Sequence, residues 1–160
     1  MVRLLVSACL VGLPSRFDGA IETNQDLLRQ LEGLWWLPVC PEQLGGLATP
    51  RPACALVGGD GLAVLEGRAR VIDRLGREAT AAYLRGARAV LELAGRLKTS
   101  AVLLRSRSPS CGPRDRLGSD GLPRPQGVTA ALLVRAGVRI FEVEETGLSP
   151  EVSRFLSGLA

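Results

Sequence analysis

The sequence contains no histidine. That absence removes Ser-His-Asp and Cys-His catalytic arrangements, every metal site with an imidazole ligand, and the usual general base near neutral pH. Lysine is almost missing as well, with Lys98 the single one among 20 basic residues. Aromatic residues make up 4% of the chain, too few for a platform on which nucleic-acid bases stack. No apolar run approaches the ~20 residues that span a bilayer. No two cysteines form Cys-x-x-Cys, which argues against a zinc ribbon or a thioredoxin-type motif.

What remains is the balance of a folded chain: 160 residues, 46% hydrophobic, 22% charged, net charge +4. The expectation is one domain over residues 1–160. The mild positive charge suits an anionic ligand more than a dedicated nucleic-acid surface. Without histidine, chemistry must run through cysteine, acidic residues, serine, Tyr83 or backbone dipoles. Residues Arg3 to Cys9 imitate a lipoprotein cleavage box. However, only Leu4, Leu5 and Val6 separate Arg3 from Ser7, against the ~7–15 apolar residues of a true signal core. The expectation is therefore a short buried strand in a cytoplasmic protein.

Continuous apolar runs predict strands over 3–8, 34–39, 100–104 and 138–143. Between them, helical spacing predicts helices after Asn24, from about Arg74 to Leu97 and over 128–135, with Gly86 marking a close packing contact. Ser149-Pro150 starts a last helix. Short segments near Leu56, Leu62 to Leu65 and Arg70 to Ile72 read as a small β excursion, and Pro41 to Pro52 and Arg105 to Gly127 as loops. Strands alternating with helices predict a three-layer α/β/α fold with a mainly parallel, Rossmann-like sheet.

Cys9, Cys40 and Cys111 each follow a predicted strand. In open α/β sheets the ligand crevice lies at the carboxyl ends of the strands, so three distant cysteines are expected at one edge. Buried small side chains or a disulfide with one cysteine left over are the plain alternatives. Three thiolates without histidine suit a soft metal site: zinc with a fourth ligand, or an iron–sulfur cluster with one iron left open. Cys54, beyond a proline-rich loop, reads as a bystander rather than a fourth ligand. Glu42, Ser108 and Ser110 stand beside the cysteines. Asp18 fits an Asx turn as readily as a functional role.

Val6-Ser7-Ala8-Cys9-Leu10-Val11-Gly12, Arg16-Phe17-Asp18-Gly19, Val39-Cys40-Pro41-Glu42-Gln43-Leu44-Gly45-Gly46, Thr49-Pro50-Arg51-Pro52, Ser108-Pro109-Ser110-Cys111-Gly112 and Gly127 to Leu133 occur in order from about Arg3 to Glu142. Together they resemble the TudS-type thiouracil desulfurase family. Some members carry a second domain, for which this chain is too short. The resemblance implies a [4Fe-4S] cluster held by Cys9, Cys40 and Cys111, with a fourth iron free to take the substrate's sulfur. It also implies non-redox conversion of 2-thiouracil to uracil and hydrogen sulfide, with Glu42 as acid/base, Ser108 near the reacting carbon and Ser110 beside it. An open iron is oxygen-sensitive, so such a cluster is expected to be lost or replaced in an aerobic preparation. The partner expected is a thiobase or thionucleoside, with no membrane and no nucleic acid. Two positions depart from the pattern: Ser15 stands where many relatives have cysteine, and Cys54 where relatives carry another residue. The competing readings are a non-enzymatic iron–sulfur sensor or carrier and a zinc-stabilised interaction module.

Overall fold

A computed structural model describes residues 3–118 and 120–160. In chain order it contains β1 (Arg3–Ser7), α1 (Gln25–Leu31), β2 (Trp35–Val39), α2 (Pro41–Leu44), β3 (Cys54–Val57), α3 (Gly61–Leu65), β4 (Arg70–Asp73) and α4 (Thr80–Leu97). There follow β5 (Ala101–Arg105), β6 (Arg116–Leu117), β7 (Pro123–Arg124), α5 (Val128–Arg135), β8 (Ile140–Val143) and α6 (Pro150–Ser157).

The expected apolar runs form a parallel sheet of order β2-β1-β5-β8. Successive side chains of a strand point to opposite faces, so a run that is apolar throughout must be covered on both. Leu4, Val6, Ala101 and Leu103 pack on one face with Leu27 and Leu31 of α1 and Val152 and Leu156 of α6. Leu5, Val102 and Leu104 pack on the other with Val90 and Ala94 of α4 and Ala130 and Leu133 of α5. The result is the expected three-layer α/β/α arrangement. Asn24 caps α1 by accepting from the Leu27 N–H at 3.0 Å, and its amide donates to the Glu144 and Gly147 carbonyls at 3.0 and 2.8 Å. One side chain thus starts the helix and fixes the segment after β8. Ser149 accepts from the Val152 N–H at 3.3 Å and starts α6 with Pro150 behind it.

Four local expectations change. Leu62 to Leu65 lies in α3, not in a strand, because the Asp60 side chain accepts from the Ala63 N–H at 2.9 Å and caps a helical turn. The β excursion is therefore the antiparallel pair β3 and β4 alone. α4 begins at Thr80 rather than Arg74: Asp73 accepts from the Leu75 and Arg77 N–H groups, both at 2.9 Å, and closes a turn there. The 41–52 segment opens with α2, with Pro41 in its first turn. The 105–127 segment carries the two-stranded ribbon of β6 and β7.

The packing contact expected at Gly86 is present and is made against Gly45. A Cβ on Gly86 would lie 1.8 Å from the Pro41 carbonyl oxygen, and one on Gly45 2.0 Å from the Ala82 carbonyl oxygen. Both clashes are with backbone, so neither side can yield by a rotamer change. Gly86→Ala is expected to force α2 away from α4 and lower the unfolding free energy by about 2 kcal/mol, measured by denaturant titration.

Candidate active site

β1 and β2 run in register from Arg3 opposite Trp35 to Ser7 opposite Val39, so their carboxyl ends coincide. Cys40 follows β2 directly, and Cys9 lies in the 3-10 turn Ala8–Leu10 that follows β1. β5 ends beside them, tied to β1 by the Arg105 N–H donating to the Ser7 hydroxyl at 3.0 Å. The loop after β5 then brings Cys111 back to the same edge. A cavity of about 610 Å³ opens there, lined by Cys9, Cys40, Cys111, Glu42, Ser108 and Ser110 among others. All six residues singled out in the sequence are thus brought to one cavity.

The loop carrying Cys111 is held by α5. The first N–H groups of a helix have no partner within it; here Val128 donates to the Pro109 carbonyl at 3.0 Å and Thr129 to the Ser110 carbonyl at 2.9 Å. Gly127 permits this approach, since a Cβ there would lie 2.5 Å from the Ser110 carbonyl. Within the loop, the Ser108 hydroxyl accepts from the N–H groups of Ser110 and Cys111 at 3.3 and 3.1 Å. It also lies 3.1 Å from the Ser110 hydroxyl, which donates toward the Cys111 sulfur at 3.7 Å.

All four cysteines are unpaired. Burial pushes the Cys111 thiol up to about 12, against the hydrogen bonds of Ser7 and Ser110. Burial also raises the Cys9 thiol, opposed by the charge and hydrogen bond of Arg105. Burial works against the charge of Arg105 itself, yet Cys9, Glu145 and Glu22 hold it above its ordinary value. Cys9 and Cys40 both contribute to the potential at Cys111, so the three sulfurs share one electrostatic environment. A metal entering this set displaces protons from the thiols. Among the described residues, no group of three Cys, Asp or Glu side chains is placed to hold a metal ion.

Glu42 sits on α2 rather than in a loop, and it is buried. Tyr83 donates to its Oε1 at 2.5 Å, and Ser110 lies 3.4 Å from the same oxygen. Arg51 Nε donates to Oε2 at 2.7 Å, and a terminal guanidinium nitrogen pairs with that oxygen too. Arg51 further donates to the Ser15 and Ala48 carbonyls at 2.8 and 3.2 Å and to the Thr49 hydroxyl at 2.8 Å, and it passes 4.0 Å from the Cys40 sulfur. Burial, followed by the charge of Glu42, drives the Tyr83 phenol far above its ordinary range, so it stays a hydrogen-bond donor.

Cys54 opens β3 and also lines the cavity, and its main electrostatic neighbours are Tyr83, Glu42, Asp73 and Arg51. The Ser15 hydroxyl is buried with no hydrogen-bond partner among the described residues, while its carbonyl faces the Cys40 thiol at 3.7 Å. Asp18 accepts from the Ala20 N–H at 3.0 Å, which is the Asx turn. Its slight burial raises its carboxyl, but that N–H and Arg16 outweigh the effect and hold it below the usual range. Sequence reasoning missed Arg51, Arg105 and the role of Tyr83. The one available signal was Arg51 within the Thr49-Pro50-Arg51-Pro52 block.

A family model for 2-thiouracil desulfurase matches residues 4–145. The chain belongs to the 2-thiouracil desulfurase family. Its relatives include an uncharacterised protein, YbbK, of Bacillus subtilis (strain 168), 36% identical over 145 residues that cover 89% of this chain and 96% of that protein. Among solved structures it is similar to the [4Fe-4S]-dependent thiouracil desulfidase TudS, at 33% identity and a TM-score of 0.78, covering 98% of this chain and 99% of the other. The chain is an enzyme, and its general chemistry is desulfuration. Among the described residues no helix is long and apolar enough to cross a membrane.

The Glu42–Arg51 pair is buried, with side chains 10% and 7% exposed. Removing one member of such a pair strands the other charge away from water. Arg51→Met is therefore expected to destabilise the protein by about 3–5 kcal/mol, read from denaturant unfolding. Glu22→Gln, on a more open carboxylate, should cost well under half of that.

Proposed function

We propose that this enzyme hydrolyses a thiolated pyrimidine, a 2-thiouracil-like base or its nucleoside, to the oxo base and hydrogen sulfide without net redox change. The observation that carries the reading is the convergence of Cys9, Cys40 and Cys111 on one cavity beside Glu42, Ser108 and Ser110. The donor set fits an iron–sulfur cluster. It is all thiol and unpaired and lines one cavity, and thiolates are the ligands an iron–sulfur cluster takes. In this reading Cys9, Cys40 and Cys111 hold a [4Fe-4S] cluster. Bound there, the cluster supplies a soft Lewis-acid site for a thiocarbonyl sulfur.

The remaining work falls to the chain's own side chains. Water supplies the new carbonyl oxygen and both hydrogens of the departing sulfide. Glu42 takes a proton from the attacking water at Oε1 and returns it to the leaving sulfur. Ser110, between Oε1 and the Cys111 sulfur, and Ser108 beside it orient water and substrate. The cavity volume of about 610 Å³ falls within the ~300–1,000 Å³ of small-molecule sites. Residues 1–160 form one catalytic unit in this reading, and four free thiols suit the reducing interior of a bacterial cell.

The decisive experiment measures iron content and sulfide release from a panel of thiobases after anaerobic reconstitution. Cys9→Ala, Cys40→Ala and Cys111→Ala are each expected to lose iron and activity together, whereas Cys54→Ser keeps its iron. Glu42→Gln is expected to keep iron while turnover falls by ~10²-fold or more, and Ser108→Ala by about tenfold. A parent protein that holds iron yet releases no sulfide would instead be a sensor or carrier.

A further inference from the structure

We infer that Tyr83 is a positioning residue for Glu42, aiming its Oε1 at Ser110 and the cavity while Arg51 holds Oε2. The inference rests on Glu42 acting in desulfuration as proposed above. A glutamate's last torsion is broad and roughly two-fold, so burial alone does not orient the carboxylate. Arg51 fixes one oxygen and is itself fixed by the Ser15 and Ala48 carbonyls and the Thr49 hydroxyl. The second oxygen would still be free to swing about that anchor. The Tyr83 hydroxyl, 2.5 Å from Oε1, removes this freedom.

Tyr83 reaches Glu42 from the core. Its ring packs with Val64, Val71, Ala87 and Val128, and Tyr83 is not among the residues lining the cavity. Cys54 is an electrostatic neighbour of Tyr83, and its thiol donates to the Pro52 carbonyl at 3.8 Å. A carboxylate can only accept, so the phenol proton goes to Glu42, while the Cys54 thiol donates to the Pro52 carbonyl. That gives the fourth cysteine a place in the cavity wall without a metal.

Tyr83→Phe keeps the ring and deletes the hydroxyl. Expected are iron content equal to the parent, KM for 2-thiouracil within about twofold and kcat reduced about tenfold to a hundredfold. In the Tyr83→Phe/Glu42→Gln double variant the losses should not multiply, because Tyr83 acts only through Glu42. Parent kcat in Tyr83→Phe, or losses that multiply, would overturn the inference. A second readout needs neither cluster nor turnover. Tyr83 is the only tyrosine, so the tyrosine Raman doublet of the cluster-free protein reports this hydroxyl alone. It should show a strong donor in the parent and a weaker one in Glu42→Gln; an unchanged doublet refutes the contact. If the parent releases no sulfide, the desulfurase reading fails, and the Raman comparison still decides whether Tyr83 clamps Glu42.

Discussion

The active cavity depends on two backbones touching. α2 lies against α4 at Gly45 and Gly86, with the Pro41 carbonyl where a Gly86 side chain would begin. Glu42 follows Pro41, and Tyr83 precedes Gly86 by one helical turn. The close approach therefore sets the 2.5 Å contact between carboxylate and phenol. Any side chain at either glycine would separate the helices by more than a hydrogen bond tolerates. The same helix α4 covers one face of the parallel sheet, so the carboxylate is referenced to the frame that carries the cysteines.

Around that frame the protein manages buried charge with arginine alone. Arg51 faces Glu42 and passes near Cys40; Arg105 stands beside Cys9 and is balanced by Glu22 and Glu145. Guanidinium holds its proton throughout the physiological range and offers a rigid fork of donors. An imidazole in either place would change charge near neutrality. The site is thus furnished with fixed charges, leaving proton movement to the carboxylate and the hydroxyls.

The sheet and the edge bearing the cysteines were legible because continuous apolar runs leave little choice of partner, and the strand-end rule does the rest. Leu62 to Leu65 misled because a short apolar run has no period long enough to tell helix from strand; the deciding residue, Asp60, lies outside it. Tyr83 could be named as a group able to carry chemistry, but its place on a helix face gave it no partner. Its meaning arises from a residue 41 positions away, delivered by a glycine contact. Arg51 was hidden likewise: nothing in a proline-rich loop announces which carboxylate it will meet.

Cys111 owes its placement to α5, whose N–H groups hold Pro109 and Ser110 and whose entry glycine touches the loop. During synthesis this has a timing consequence. Cys9 and Cys40 leave the ribosome early, but the third thiol cannot take its seat until residues 127–130 have emerged and begun to coil. The three-thiol pocket is thus completed only after α5 has begun to form. Until then the first two cysteines are exposed to whatever oxidants and stray metals the surroundings hold, which makes the redox state around the nascent chain part of how this enzyme is made.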